Sequence, residues 1–240
     1  MSVTHPRLAA ATAVLLPGTG SDDVFVRAVF EDPLSWFGIR LIAPRPVPGS
    51  GLVAAHLAAL DAAALRGPVI VGGISLGAHL AAQWAVRNPE RCAGLLLALP
   101  GWSGRPAQAP AALAAIYSAA DVRARGTEAA LASAVEGVAP WLADELRRAW
   151  TAYGPGLADS LVVAAHHPAP TIESLAGVIA PAGIVGCVDD PVHPVETARD
   201  WTHAMPHASL VTTTLKVIGA DREALGRAAV LGLLRAGNTR

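Results

Sequence analysis

The chain has 240 residues, the length of one large domain or of one domain carrying an insertion. Hydrophobic residues make up 52% and charged residues 15%, so a sizeable core is available. The formal net charge is −1 with no long basic or acidic block, which argues against nucleic acid or an anionic membrane as partner.

The N-terminal residues run into a mostly apolar stretch over 8–16 that lacks the basic region and small-residue cleavage site of a signal peptide. The stretch enters Pro17-Gly18-Thr19-Gly20, which marks a first strand over 13–16 and a loop. A second apolar run, 39–43, is closed by Pro44-Arg45-Pro46, and Leu52, Ala55, Leu57 and Leu60 then recur at helical spacing. Further strands are expected over 69–71, 93–97, 183–187 and 209–213. The runs are continuous rather than alternating, as in strands buried on both faces of a parallel sheet. Residues 102–178 break the rhythm: helical patterns at 111–120 and 140–152, no convincing strand, and Pro and Gly at the joints. They read as a helical cap on a core of 1–101 and 179–240, or as elongated crossover helices. The two cysteines, Cys92 and Cys187, have no metal-site spacing, and no apolar run reaches the roughly 18 residues of a membrane span. A soluble, cytoplasmic chain without membrane partner, cofactor or metal is expected, and nothing in the sequence sets an oligomeric state.

Gly73-Ile74-Ser75-Leu76-Gly77 is a GxSxG pentapeptide. Alone it is a weak signal, and its context strengthens it: the strand at 69–71 precedes it and a helical pattern at 78–84 follows. A serine on such a strand–turn–helix elbow projects its Oγ above the sheet, over a helix N-terminus suited to a developing oxyanion. The alternative, which this context disfavours, is a glycine-rich turn with an incidental serine.

With these residues the chain resembles the α/β-hydrolase superfamily over nearly its whole length. The resemblance implies an α/β-hydrolase fold: a mostly parallel central sheet of about six strands flanked by helices, with a helical cap insertion. It also implies a small-molecule substrate and an oxyanion hole made by the backbone N–H groups of Thr19 and Leu76. Competing motifs fail on residues, since a dinucleotide loop needs glycine at Asp23 and a phosphate loop needs lysine at Ala78. Asp22 and Asp23 read as caps of the next helix.

The loop from Gly186 to Pro194 is similar to the one that carries the family's triad acid, an Asp followed four residues later by Pro. Asp190 fits that spacing, Asp189 is the alternative, and a helix-capping turn is the plain reading. The family's histidine follows the last strand, yet no histidine follows His207 here. The departure matters, because a triad lacking one member retains only about 10³–10⁴-fold acceleration over water. His193, three residues after Asp190, is the first candidate for the base, against a surface histidine before Pro194. His166 and His167 lie in the cap, His203 and His207 near a helix C-terminus, and His79 under the elbow; His5 and His56 have no motif. Trp102, Trp141 and Trp150 are candidates for an acyl pocket or simple apolar anchors. Arg45 either meets a substrate anion or is a solvated loop residue. The expected activity is hydrolysis of an ester or thioester through Ser75. A degenerate fold that binds a ligand, or lyase or cyclase chemistry in the same pocket, is the alternative.

Overall fold

The computed structural model describes residues 10–238, so His5 lies outside the described residues. Six strands form one sheet: β1 (Thr12–Leu16), β2 (Arg40–Ile42), β3 (Val69–Ile74), β4 (Cys92–Ala98), β5 (Ala182–Cys187) and β6 (Ala208–Thr213). Their order is β2-β1-β3-β4-β5-β6 and every pairing is parallel. Side chains alternate between two buried faces, as strand geometry requires. Val14, Leu16, Val71, Leu95, Leu97 and Ile184 face one core cluster, while Ala13, Leu15, Ile70, Leu96 and Val185 face the other. Each fully buried Leu or Ile stabilises the fold by about 1.5–3 kcal/mol.

Helices α1 (Asp23–Ser35), α2 (Leu52–Ala63), α3 (Leu76–Arg87) and α9 (Val195–Ala204) cover the sheet together with α11 (Glu223–Gly237). Phe30 of α1 and Leu225 and Leu233 of α11 fill one cluster. Leu60 of α2, Leu80 of α3 and Trp201 of α9 fill the other. Between β4 and β5 lie α4 (Pro110–Arg125), α5 (Thr127–Ala134), α6 (Pro140–Tyr153), α7 (Leu157–His166) and the short α8 (Ile172–Leu175), with no strand among the described residues. A short helix α10 (Leu215–Ala220) follows β6. Among the described residues no helix is long and apolar enough to cross a membrane.

All six strands read from apolar runs are present. The largest boundary difference is at β3, which continues through Gly72 and Gly73 to Ile74. A glycine pair looks like a breaker in sequence; here the packing requires it. A Cβ on Gly72 would stand 2.1 Å from the Leu96 carbonyl oxygen of β4.

Beside β1 the chain order reverses: β2 lies on one side of it and β3 on the other. Loops leaving the carboxyl ends of β1 and β3 therefore diverge and open a crevice, the place where open α/β sheets bind ligands.

Candidate active site

Ser75 occupies the turn between β3 and α3, at φ 53° and ψ −114°. A non-glycine residue held there costs about 1–3 kcal/mol, so the surroundings must enforce it. They do so by close packing. A Cβ on Gly77 would lie 2.2 Å from the Leu16 carbonyl oxygen, and one on Gly73 2.3 Å from the same atom. The two glycines let the elbow press against the end of β1. The Ser75 amide donates to the Ala98 carbonyl at 2.9 Å, and its carbonyl accepts from the His79 amide at 3.1 Å.

The loop after β5 brings two further residues to Ser75. His193 Nε2 is 2.9 Å from Ser75 Oγ, and His193 Nδ1 is 2.8 Å from Asp190 Oδ2. A carboxylate can only accept, so Nδ1 carries the proton, and in the neutral ring Nε2 is left to accept from the serine hydroxyl. The other oxygen of Asp190 accepts from the amides of Val192 at 2.8 Å and His193 at 3.2 Å. Burial alone would raise the Asp190 carboxyl. The His193 ring and the two amides outweigh it and hold the group below its ordinary value.

Asp189 does something else. Its Oδ1 accepts from the Leu215 amide at 2.7 Å and from Cys187 Sγ at 3.1 Å. Burial, then that contact, pushes the Cys187 thiol up to about 12, so it stays a neutral donor. Of the two neighbouring carboxylates, Asp190 meets the imidazole and Asp189 ties the loop to the start of α10.

Thr19 lines the same crevice, on a loop so close that a Cβ on Gly18 would lie 3.4 Å from Ser75 Cβ. Leu76 is the first residue of α3, directly after the serine. The remaining histidines are elsewhere. His79 is fully buried, and its Nε2 accepts from the Gly101 amide at 2.9 Å. Burial first, with the nearby His193 and His167 adding to it, lowers His79 to about 3. His167 meets Gln83 at 3.0 Å, His166 donates to the Val162 carbonyl at 2.8 Å, and His203 is exposed. His207 is half-buried and His56 is buried on α2. Of the described histidines, His193 alone lines the crevice. Arg45 is exposed and away from it.

The crevice is a cavity of about 540 Å³. Trp102, Trp141 and Trp150 all line it, as do Leu142, Leu146 and Leu161. Leu215 and Ile218 stand in the wall after β6, the region that carries the family's histidine and has none here. One feature that spacing did not suggest is Arg148, which reaches from α6 to Asp22 at the start of α1 with contacts of 2.7 and 2.8 Å. Asp22 also caps α1 through the Phe25 amide at 3.0 Å.

No protein-family model and no curated protein matches the chain. Solved structures do. A thermophilic esterase from Thermogutta terrifontis superposes with a TM-score of 0.70 at 19% identity, over 95% of this chain and 90% of that one. A carboxylesterase structure from Nitrososphaera gargenis gives 0.75 at 13%, over 95% and 91%. The enol-lactonase from Burkholderia xenovorans LB400 gives 0.71 at 15%, over 94% and 91%. The chain shares with them the α/β-hydrolase fold.

Proposed function

On this fold, and with this geometry at its crevice, we propose that the chain hydrolyses an ester or thioester of a small molecule, with Ser75 as nucleophile, His193 as general base and Asp190 as the acid of the triad. One observation carries the reading. A single imidazole has one nitrogen 2.9 Å from the serine oxygen and the other 2.8 Å from a buried carboxylate. Those are the contacts that an activated serine needs.

In the first half-reaction His193 Nε2 takes the Ser75 hydroxyl proton as Oγ attacks the carbonyl carbon. Asp190 keeps Nδ1 protonated and stabilises the imidazolium. The negative charge moves to the carbonyl oxygen, where the backbone N–H groups of Thr19 and Leu76 face it, aided by the N-terminal end of α3. Collapse expels the alkoxide or thiolate, which takes the proton from Nε2 and leaves an acyl-Ser75. Water then repeats the sequence and releases the acid. The similarity to esterases and a lactonase supports the same class of chemistry.

The test is labelling with a fluorophosphonate, together with turnover of p-nitrophenyl esters. The unaltered chain is expected to label and turn over. Ser75→Ala should do neither, and His193→Ala should lose about 10³-fold or more in kcat. No label and no ester turnover would remove the reading. Labelling without hydrolysis would favour non-hydrolytic chemistry in the same pocket.

A further inference from the structure

The cavity wall separates charge from ligand. Among the described residues, Glu145 is the single ionisable lining residue outside the loop that carries Asp190 and His193, and no lysine or arginine lines the cavity. Glu145 itself is engaged by groups that do not line the cavity. Its carboxylate bonds Arg148, which also holds Asp22 through two contacts, and it lies 4.0 Å from Nε of Arg222. The Arg222 guanidinium stands 4.6 Å over the Trp141 ring and donates to the carbonyls of Ile218 and Gly219 at 3.0 and 2.6 Å. Two acids and two arginines thus neutralise one another, Glu145 in the wall beside Trp141 and Ile218 and the other three behind it.

We infer that the cavity selects an uncharged, predominantly apolar acyl or aryl group, and that Glu145 sets this selectivity by balancing the two arginines behind the wall. A substrate carboxylate or ammonium entering here would lose its hydration and find no ion partner free, a penalty an apolar group escapes. The volume suits it: about 540 Å³ is within the roughly 300–1,000 Å³ of small-molecule pockets, and three indole rings and an alanine-lined α4 face give a surface for chains or rings. Removing the Glu145 charge leaves one positive charge in excess beside the wall, so anionic ligands should gain. The inference depends on the hydrolase reading only for which bond is broken; occupancy of the cavity is a separate question.

The experiment uses Ser75→Ala protein and three eight-carbon probes, octanamide, octanoate and octylammonium, at neutral pH. Fluorescence from Trp102, Trp141 and Trp150 reports binding. Octanamide should bind at least about tenfold tighter than either ion. Adding Glu145→Gln should tighten octanoate about tenfold and leave octanamide within about twofold, which also shows that the fold survives. The inference is overturned if either ion binds as tightly as the amide, if none of the three binds, or if Glu145→Gln leaves the octanoate affinity unchanged. Failures of the two readings are distinguishable. The expected binding order without ester turnover by the unaltered protein removes the hydrolase reading alone; turnover with equal affinity for amide and ions removes this one alone.

Discussion

Asp190 and His193 sit three residues apart on one loop, joined by a 2.8 Å contact between Oδ2 and Nδ1. Carboxylate and imidazole therefore reach Ser75 from a single segment, and Asp190 both orients the ring and folds the loop through the Val192 and His193 amides. The two duties separate by substitution. Asp190→Asn keeps an acceptor for those amides but disturbs the ring tautomer, so kcat for a p-nitrophenyl ester should fall about 10³–10⁴-fold with little change in melting temperature. Asp190→Ala should lose the same activity and also melt lower. Equal melting temperatures for both variants, or an active Asn variant, would contradict this division.

Asp189 acts on the same loop from outside. It anchors the backbone to Leu215 and takes the Cys187 S–H. Without it, the segment carrying Asp190 and His193 loses its tie to α10, and on the proposed mechanism a misplacement near 1 Å at His193 suffices to slow the reaction about 10²-fold. Asp189→Ala is expected to lower kcat about 10–100-fold while KM moves little, and Asp189→Asn, which can still accept from the Leu215 amide, should recover most of it. Steady-state kinetics of the two variants check this; a KM effect with kcat intact would assign Asp189 to substrate binding instead.

What sequence made legible follows the range of the interaction. The elbow at Ser75 is local: strand, glycines and helix adjoin, and the glycines mark where backbone meets Leu16. The strands are legible because burial on both faces leaves continuous apolar runs. Asp189 and Asp190 share a loop, and only side-chain direction, which spacing does not give, separates them. The 2.9 Å approach of His193 to Ser75 spans 118 positions, and the Asp22–Arg148 pair spans 126. No spacing rule reaches so far. The absence of a histidine after β6 is plain in the sequence, and Leu215 and Ile218 line the cavity there instead.

Asp22 and Arg148 join α6 to the start of α1. The Asp22 side chain is 9% exposed, that of Arg148 36%. Burial tends to raise the Asp22 carboxyl, but Arg148 and the Phe25 and Val24 amides hold it below its ordinary value. Its stabilising contribution is therefore present above about pH 4 and lost as pH falls through the depressed value. Arg148→Ala strands a largely buried carboxylate. Discounted for the water that reaches Arg148, the expected loss is about 2 kcal/mol. Arg148→Lys should restore less than half, because a point charge cannot reproduce the two-point contact. Urea denaturation at neutral pH measures both, and an unchanged midpoint for Arg148→Ala would show the pair to be worth nothing to the fold.

The buried histidines set a separate acid limit. Burial holds His56 at about 4, and His79 at about 3, whereas each titrates near 6.5 in an unfolded chain. Between those values the unfolded state binds protons that the folded state refuses, so stability falls as pH falls and is fully present only above about pH 7. By pH 5 each histidine should have removed about 2 kcal/mol, some 4 kcal/mol together. The window is diagnostic, since the carboxylates of Asp22 and Asp190 stay ionised until much lower pH. His79→Gln keeps an acceptor in reach of the Gly101 amide and removes its titration, so it should flatten the pH slope between 6.5 and 5, leaving the part due to His56 and the partly buried His167, even where it weakens the fold overall. Urea midpoints followed from pH 7.5 to 5 would expose the error: a flat profile in the unaltered chain means these two rings take up protons in the folded state as readily as in the unfolded one.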